Sequence, residues 1–464
     1  MDSLMIGVSG VRGVIGRSLT PELVTRFSMA FGTYMKSGTV VVGRDTRRSG
    51  AMVKHSVFAG LMASGCSIVD VGVATTPSCS LSIVELGADG GIVISGSHNP
   101  AEWNALKFFK KTGICLNEAE AMELLDIYYQ GNFRGVAYDQ LKPERIDGEA
   151  GERHLRRVLG LTDAGVVRRR RPRVVLDSCN GAGALITPPF LDALGCEVVR
   201  IHCNPDEPFP HNPEPVFVNL GDLCRKVVEV KADVGFAQDA DADRVAIVDE
   251  NGRFIGEEYS LALAVAAVLP KRPGKVVANL STSRMSDDVA RRYGSEVVRT
   301  KVGEVNVAER MMEVGAVIGG EGNGGVIDPR VHYGRDSLSG IAIVLQHMAE
   351  TGRKLSELAA DIPAYHMKKT KIECTRDVAL ELVRRATKEF ASESSLRPEN
   401  RDFGGVTRVN TEDGLRIDWD DAWVHVRPSA TEPALRIIAE AATEARVEEL
   451  IGIFETRANA LLKE

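Results

Sequence analysis

Three times along the chain a short apolar run breaks off into a polar stretch, a helical segment follows, and a glycine opens a second apolar run. The first runs are Val40-Val41-Val42-Gly43-Arg44-Asp45, Val174-Val175-Leu176-Asp177-Ser178 and Val276-Val277-Ala278-Asn279-Leu280-Ser281. The second runs occupy 65–69, 195–199 and 294–298 and begin with Gly65, Gly195 and Gly294. Glycine suits a helix C-terminus there, because it takes a left-handed backbone without a Cβ clash. A third apolar run closes each unit, at 91–94, 234–237 and 316–318. Short apolar strands alternating with helices predict largely parallel sheets covered on both faces, and an internal repeat predicts related units. After two of the third strands, LKFFKKTG (106–113) and VAIVDENG (245–252) predict a hairpin return along a sheet edge.

From about Tyr365 the pattern changes to a strand (367–374), a helix (377–392), glycine-punctuated strands including 422–426, a strand at 434–439 and an amphipathic helix at 447–462. This predicts an α+β domain of roughly 100 residues. The expected fold is three related α/β domains with mixed, mostly parallel sheets and a C-terminal α+β domain. The expected boundaries are 1–149, 150–252, 253–364 and 365–464.

The chain has 464 residues, too many for one core. A composition of 44% apolar and 26% charged residues is that of a globular protein, and the net charge of −7 argues against a general nucleic-acid binder. The one basic run, Arg168 to Arg171, is expected to be a solvated approach to a strand. Eight cysteines without any CxxC suggest reduced thiols rather than a disulfide framework. The start MDSLMIGVSG lacks a basic segment followed by an apolar one, and the longest apolar helix, near 261–269, is too short to cross a bilayer. A cytoplasmic protein with neither a membrane nor a nucleic-acid partner is expected.

In parallel sheets, ligands bind beyond the carboxyl ends of the strands, and the third strands there run into three unusual loops. In the second loop Asp239, Asp241 and Asp243 alternate with alanine. A period near two would point the three carboxylates the same way, and hard oxygens suit Mg²⁺. Without a cation three such charges would repel one another. The first loop, Ser95-Gly96-Ser97-His98-Asn99-Pro100, puts Ser97 at its tip. A loop serine is usually a turn former, but beside a metal it can carry a phosphoryl group. His98 can donate a hydrogen bond to a ligand, and Lys107 can be a general base if its neighbours depress its pKa. The third loop, ending Gly320-Glu321-Gly322-Asn323-Gly324-Gly325, lets backbone approach a ligand. Its Glu321 and Asn323 can bind adjacent sugar hydroxyls. Near the C-terminus, Arg427-Pro428-Ser429-Ala430-Thr431-Glu432-Pro433, with Arg436 on the next strand, offers guanidinium, hydroxyls and turn amides to a phosphate. Residues 7–13 form a glycine-rich turn carrying Arg12.

SGSHNP, DADADR, GEGNGG and RPSATEP, in this order and at these distances, resemble the α-D-phosphohexomutase superfamily of phosphoglucomutases, phosphomannomutases and phosphoglucosamine mutases. The resemblance spans essentially the whole chain and is strongest to the archaeal-type branch, through GEGNGG and VGEVNV (302–307). It implies four domains around a central cleft, with Ser97 as the serine that is phosphorylated. It also implies Asp239, Asp241, Asp243 and a phosphoserine oxygen as Mg²⁺ ligands, and Arg12 and Arg244 near the reacting phosphate. Lys107 matches a proposed base, Glu321, Asn323 and the 300–304 segment with Thr300 and Gly303 face the sugar, and the 427–431 loop holds the other phosphate. The implied reaction interconverts hexose 1-phosphate and hexose 6-phosphate of glucosamine, glucose or mannose. It passes through a hexose 1,6-bisphosphate, which is also the activator, on a monomer or homodimer. The alternatives are a phosphoserine-dependent sugar phosphatase or bisphosphate synthase, and a non-catalytic sugar-phosphate binder. Two departures stand out: Ser95-Gly96 where many members have Thr-Ala, and Gly325 where some carry histidine.

Overall fold

A computed structural model of the protein describes residues 4–7, 10–390, 405–429 and 434–462. The three repeats share one topology. Each sheet is centred on the first strand of its unit: Thr39–Arg44, Arg173–Asp177 and Val276–Asn279. The second strand lies parallel on one side: Ser67–Val73, Glu197–Ile201 and Val297–Thr300. The third lies parallel on the other: Gly90–Ile94, Val234–Gln238 and Ile318–Glu321. An antiparallel return follows beyond it: Trp103–Lys110, Val245–Asp249 and Gly325–Ile327.

The valine-rich centres explain why these strands sit inside. Successive side chains point to opposite faces, so Val40 and Val42 join one core cluster and Val41 another. Val174 and Leu176 divide from Val175 in the same way, and Val276 and Ala278 from Val277. Helices Gly50–Ala63, Gly183–Ala193 and Met285–Arg292 cover the first strands of the three units. Each is followed by the expected left-handed glycine, Gly65, Gly195 and Gly294, at φ 76°, 76° and 66°.

Three details differ from expectation. The third unit also has a return strand, only three residues long and opened by a glycine, so its apolar signal is faint. Its third strand is Ile318–Glu321 rather than 316–318, because Gly319 is a strand residue packed on Met311: a Cβ there would lie 2.5 Å from the Met311 sulfur. In the first unit the return is not an edge. Gly10–Val14 pairs with its outer side, with Arg12 opposite Ala105, so Arg12 belongs to a strand and not a turn. Met5–Gly7 and Glu144–Ile146 complete a seven-stranded sheet.

The last domain is an antiparallel sheet in the order His366–Glu373, Ala434–Ala441, Ala422–Pro428, Leu415–Trp419, Val406–Asn410. Helices Arg376–Phe390 and Glu444–Leu461 cover one face, packing on Val424, Val426, Leu435 and Ile437. The expected helix end at 391–392 lies outside the described residues. The alternate residues Trp423, His425 and Arg427 belong to the opposite face, which meets the third domain: Ser281 Oγ lies 2.8 Å from His425 Nδ1, and Arg284 N donates to Glu440 Oε1 at 2.9 Å. Among the described residues, no helix is long and apolar enough to cross a membrane.

Candidate active site

The first strands do more than fill the core. Their polar ends order the loops that follow the third strands: Asp45 Oδ2 accepts from Ser95 Oγ at 2.7 Å, and Asn279 Nδ2 donates to Glu321 Oε1 at 2.7 Å. In the first unit Arg47 completes the arrangement. Its side chain is wholly buried. Nε donates to Asp45 Oδ2 at 3.0 Å, Nη2 to the carbonyls of Ser97 and Asn99 (both 2.7 Å), and Nη1 to those of Pro100 and Trp103 (2.6 and 3.1 Å). All five N–H groups of the guanidinium are thereby used. Gly96 lies against this plane, where a Cβ would approach Cζ to 2.9 Å. The loop is therefore clamped, with Ser97 held at φ +49°. Ser97 is not an exposed tip: it is 2% accessible, and its Oγ donates to Asp239 Oδ2 at 2.7 Å.

The three aspartates converge, though not through an extended period of two. Residues 240–243 form turns and bends with Ala242 left-handed, and Asp239 Oδ1 accepts from the backbone N–H groups of Asp243 and Arg244 at 3.1 and 3.2 Å. All three carboxylates are fully buried, with ligand oxygens within 4.8 Å of one another. Burial, then Asp243 and Asp241, pushes the Asp239 carboxyl well above its ordinary range. Burial also raises Asp241 and Asp243, but the attraction and hydrogen bonds of Lys107 with Thr76 at the former, and Arg335, Lys107 and Arg244 together at the latter, outweigh it, and both end lowered. Asp241 Oδ1 and Asp243 Oδ1 are buried without a hydrogen-bond partner. An all-oxygen donor set with two orphaned carboxylate oxygens fits Mg²⁺.

Lys107, on the return strand of the first unit, reaches Asp241 Oδ2 at 2.6 Å and lies 3.6 Å from Asp243 Oδ2. Burial lowers its pKa, yet the two aspartates outweigh burial and the net shift is upward. Lys107 is thus paired as a cation with two of the three clustered aspartates. His98 has a buried Nδ1 without a partner. Burial, then Arg244 and Arg12, holds it well below the ordinary histidine range, so the imidazole is neutral. Arg12 donates to Asn99 Oδ1 at 2.6 Å, and burial beside Arg244 lowers its pKa to about 10. Arg244 lies 3.7 Å from Asp243 Oδ1, its Nε lacking a hydrogen-bond partner.

Glu321 is already engaged. Oε1 accepts from Asn279 and from Gly303 N (3.1 Å), and Oε2 from Arg335 (2.8 Å) and Asn323 (3.4 Å). Asn323 Oδ1 is buried without a partner. Gly303 sits at φ +125° before the helix Glu304–Val314, and Thr300 ends its strand. Arg335 also binds Asp243 Oδ2 at 2.6 Å and lies 3.4 Å from Glu304 Oε2, tying the acidic loop to the glycine-rich loop. On the last domain Arg427 and Arg436 stand directly opposite on adjacent strands. Such like-charge pairs destabilise a sheet, unless an anion lies between them. Arg436 Nε donates to Ser429 Oγ at 3.3 Å, and Arg427 Nε is buried without a partner. Ala430 and Thr431 lie outside the described residues.

Models of the four phosphoglucomutase/phosphomannomutase domains, three α/β/α domains and a C-terminal domain, match residues 3–134, 152–252, 257–365 and 371–454 in that order. A relative from Methanopyrus kandleri named "Probable phosphoglucosamine mutase" is 41% identical over 446 residues, covering 96% of this chain and 95% of the relative. The chain belongs to the phosphoglucomutase/phosphomannomutase family. A "Phosphoglucomutase/phosphomannomutase" from Thermococcus kodakarensis is 38% identical, with 97% of each chain covered. The crystal structure of a family protein from Burkholderia thailandensis superposes with a TM-score of 0.84 at 26% identity, covering 98% of this chain and 97% of the other.

Within this family fold, several residues that build the site carried no motif of their own. Arg47 is one of three arginines in GRDTRRSG (43–50), and Arg335 is a lone arginine in YGRDS (333–337). Thr76, at the start of the helix Thr76–Glu85, donates its hydroxyl to Asp241 Oδ2 and its N–H to the Asp241 carbonyl at 3.0 Å. Asp413 accepts from Val302 N at 2.9 Å and links the last domain to the third. One signal was available in sequence: Arg47 lies two residues past Asp45, at the same strand end as Asp177 and Asn279. Two of the glycines in the motif loops are packing sites for these arginines. Gly96 makes room for Arg47, and Gly325 for Arg335, whose Cδ a Cβ would approach to 2.2 Å.

Proposed function

We propose that this phosphohexomutase, an isomerase that relocates a phosphoryl group within a hexose phosphate, works by a phosphoserine relay at Ser97. The observation that carries the proposal is the Ser97 hydroxyl bonded to a buried three-aspartate cluster. Asp239, Asp241 and Asp243 would hold Mg²⁺ with an oxygen of phosphorylated Ser97. When bound, the ion supplies charge that makes the phosphorus electrophilic. Arg12 and Arg244 stabilise charge on the transferring group, the main demand in such reactions. The bond between Ser97 Oγ and phosphorus breaks as one forms to the 6-hydroxyl of a hexose 1-phosphate. The proton lost by that hydroxyl ends on Ser97 Oγ, which in its free form donates to Asp239. The hexose 1,6-bisphosphate then turns over and returns its 1-phosphate to Ser97.

Lys107 serves to balance the aspartates' charge, and neutral His98 bonds a ligand oxygen. Asn323 and Glu321, with Thr300 and Gly303, line the sugar subsite. The Arg427–Arg436 pair with Ser429, Ala430 and Thr431 holds the phosphate that is not reacting, and hexose 1,6-bisphosphate reloads Ser97 as activator. The domains are taken as 1–149, 150–252, 253–364 and 365–464, one per sheet. The relatives' names support glucosamine, glucose or mannose phosphate as substrate. Eight unpaired cysteines support a cytoplasmic setting, for a monomer or homodimer.

The test is conversion of glucose, mannose and glucosamine 1-phosphates side by side with a bisphosphate activator, monitoring both hexose 6-phosphate and free phosphate. The relay predicts isomerisation without phosphate release and a loss of about a thousandfold or more in Ser97→Ala. Release of free phosphate as the main product would indicate a phosphatase instead.

A further inference from the structure

A second cluster of chemistry-bearing side chains lies in the second domain and shares no residue with the site above. Asp177 ends the central strand Arg173–Asp177 and is 1% exposed. Its Oδ1 accepts from Cys179 N at 2.8 Å, which leaves Oδ2 for two imidazoles. His202 Nδ1 lies 2.9 Å from it and His211 Nε2 3.2 Å. The three ligand atoms all fall within 4.8 Å of one another. His202 follows the neighbouring strand Glu197–Ile201, whereas His211 comes from the long irregular loop beyond it.

The hydrogen bonding of His211 is informative. Its Nδ1 lies 2.8 Å from the Asn212 carbonyl, and a carbonyl can only accept, so Nδ1 carries the hydrogen. In a neutral ring Nε2 is then a lone pair, yet it faces a carboxylate oxygen. Two acceptors at 3.2 Å need a cation between them, either a proton or a metal. A histidine whose Nδ1–H is held by a carbonyl is also the usual arrangement of one that ligates through Nε2.

We propose that Asp177, His202 and His211 form a second metal site, for a divalent transition metal of the zinc class. One carboxylate oxygen and two imidazole nitrogens are borderline donors suited to such an ion, unlike the all-oxygen Mg²⁺ set. Three protein ligands leave a fourth position for water. Cys179 Sγ is not a ligand, since it lies on the far side of His211, 3.8 Å from Nδ1.

The site pins the 203–216 loop to the end of the second sheet, and that loop touches the phosphoserine loop's support. The Phe209 ring lies 5.0 Å from the Arg47 guanidinium, Asn180 Nδ2 donates to the Pro208 carbonyl at 2.8 Å, and Thr46 Oγ1 donates to the Asn180 carbonyl at 2.8 Å. Loss of the ion would therefore loosen the packing on Arg47 while leaving the Mg²⁺ ligands intact.

The full-length protein is stripped with a chelator, then dialysed against Co²⁺ in excess Mg²⁺. The expected result is one equivalent of Co²⁺ retained per chain, with the visible absorption of a low-coordinate ion, which Zn²⁺ displaces. His211→Asn and His202→Asn lose that equivalent, and Asp241→Asn keeps it. Retention of no Co²⁺ in excess Mg²⁺, or equal retention by His211→Asn, overturns the proposal and leaves His211 as an imidazolium paired with Asp177. X-ray absorption at the zinc edge of the wild-type protein provides a check independent of variant folding. Two imidazoles and a carboxylate in the shell support the site, and an all-oxygen shell overturns it.

Discussion

Arg47→Met removes the clamp beneath Ser97 while keeping much of the side chain's volume. In the wild type the guanidinium serves one carboxylate and four backbone carbonyls; its own side chain and that of Asp45 are fully buried, while the carbonyls of Asn99, Pro100 and Trp103 are partly buried. Removing one partner of a buried ion pair costs about 3–5 kcal/mol, because the other charge is left behind, and each orphaned carbonyl adds about 1 kcal/mol or more. The loop can escape part of this by opening to water. Local opening of residues 95–103 should then rise by about a hundredfold, taking 3 kcal/mol as the retained cost. Hydrogen exchange of these amides reads that directly, and kcat/KM should fall with it, since Ser97 loses its fixed position. The pH dependence has a defined sign. Burial already raises the Asp45 carboxyl, against the pull of Arg47, and without Arg47 it rises further. A carboxyl with a raised folded-state pKa contributes stability that is present below its unfolded pKa and lost as pH rises through the folded one. The variant should therefore be least damaged in acid and most damaged above neutrality. Adding Asp45→Asn should recover a measurable part of the loss, because the uncompensated charge is gone. Wild-type exchange in Arg47→Met, or no recovery in the double variant, would refute the clamp.

Gly325→Ala should force Arg335 from its place, costing about 1–3 kcal/mol by overpacking, with a fall in both melting temperature and kcat/KM; unchanged values would mean that Arg335 is free to move. Glu258, 9% exposed beneath Gly322, is raised to about 7, mainly by burial. Its contribution to stability is full below about 4.5 and lost as pH rises through 7. Glu258→Gln, whose carbonyl can still accept from Ser283 N, should thus be more stable than wild type at pH 8.5 by about 1–3 kcal/mol and equal to it near pH 4.5, as paired thermal melts would show. Arg427→Met should weaken sugar-phosphate binding by about 10- to 100-fold, the worth of its charged hydrogen bonds, while leaving Mg²⁺ affinity unchanged in titration calorimetry.

The repeat was legible because it rests on backbone and burial: valine triplets split between two core faces, and glycines stand where helices end. The acidic loop and Ser97 were legible as chemistry, but not their geometry, since three aspartates in a turn and three in a strand have the same spacing. The third return strand escaped because three residues opened by glycine carry almost no periodicity. Arg47 and Arg335 escaped for a deeper reason. Arg335 acts through Asp243 and Glu321, and Arg47 mostly through the distant carbonyls of Ser97, Asn99, Pro100 and Trp103, so that Asp45 beside Arg47 is the one local sign of a buried arginine. The glycines that make room for them, Gly96 and Gly325, leave a further trace in sequence, and at the sequence level that trace reads as slack in the loop or as a missing histidine.

The central claim is that Ser97 carries the phosphoryl group between the two ends of the sugar. It is tested most directly by loading the full-length enzyme with labelled phosphate from a hexose 1,6-bisphosphate, removing free ligand, and mixing it with unlabelled hexose 1-phosphate and Mg²⁺ in a single turnover. Label should be found on Ser97 before mixing and appear on the 6-position of the sugar at the rate of turnover, and Ser97→Ala should take up none. Label that stays on the protein through many turnovers, or isomerisation by unlabelled Ser97→Ala at the wild-type rate, would contradict it.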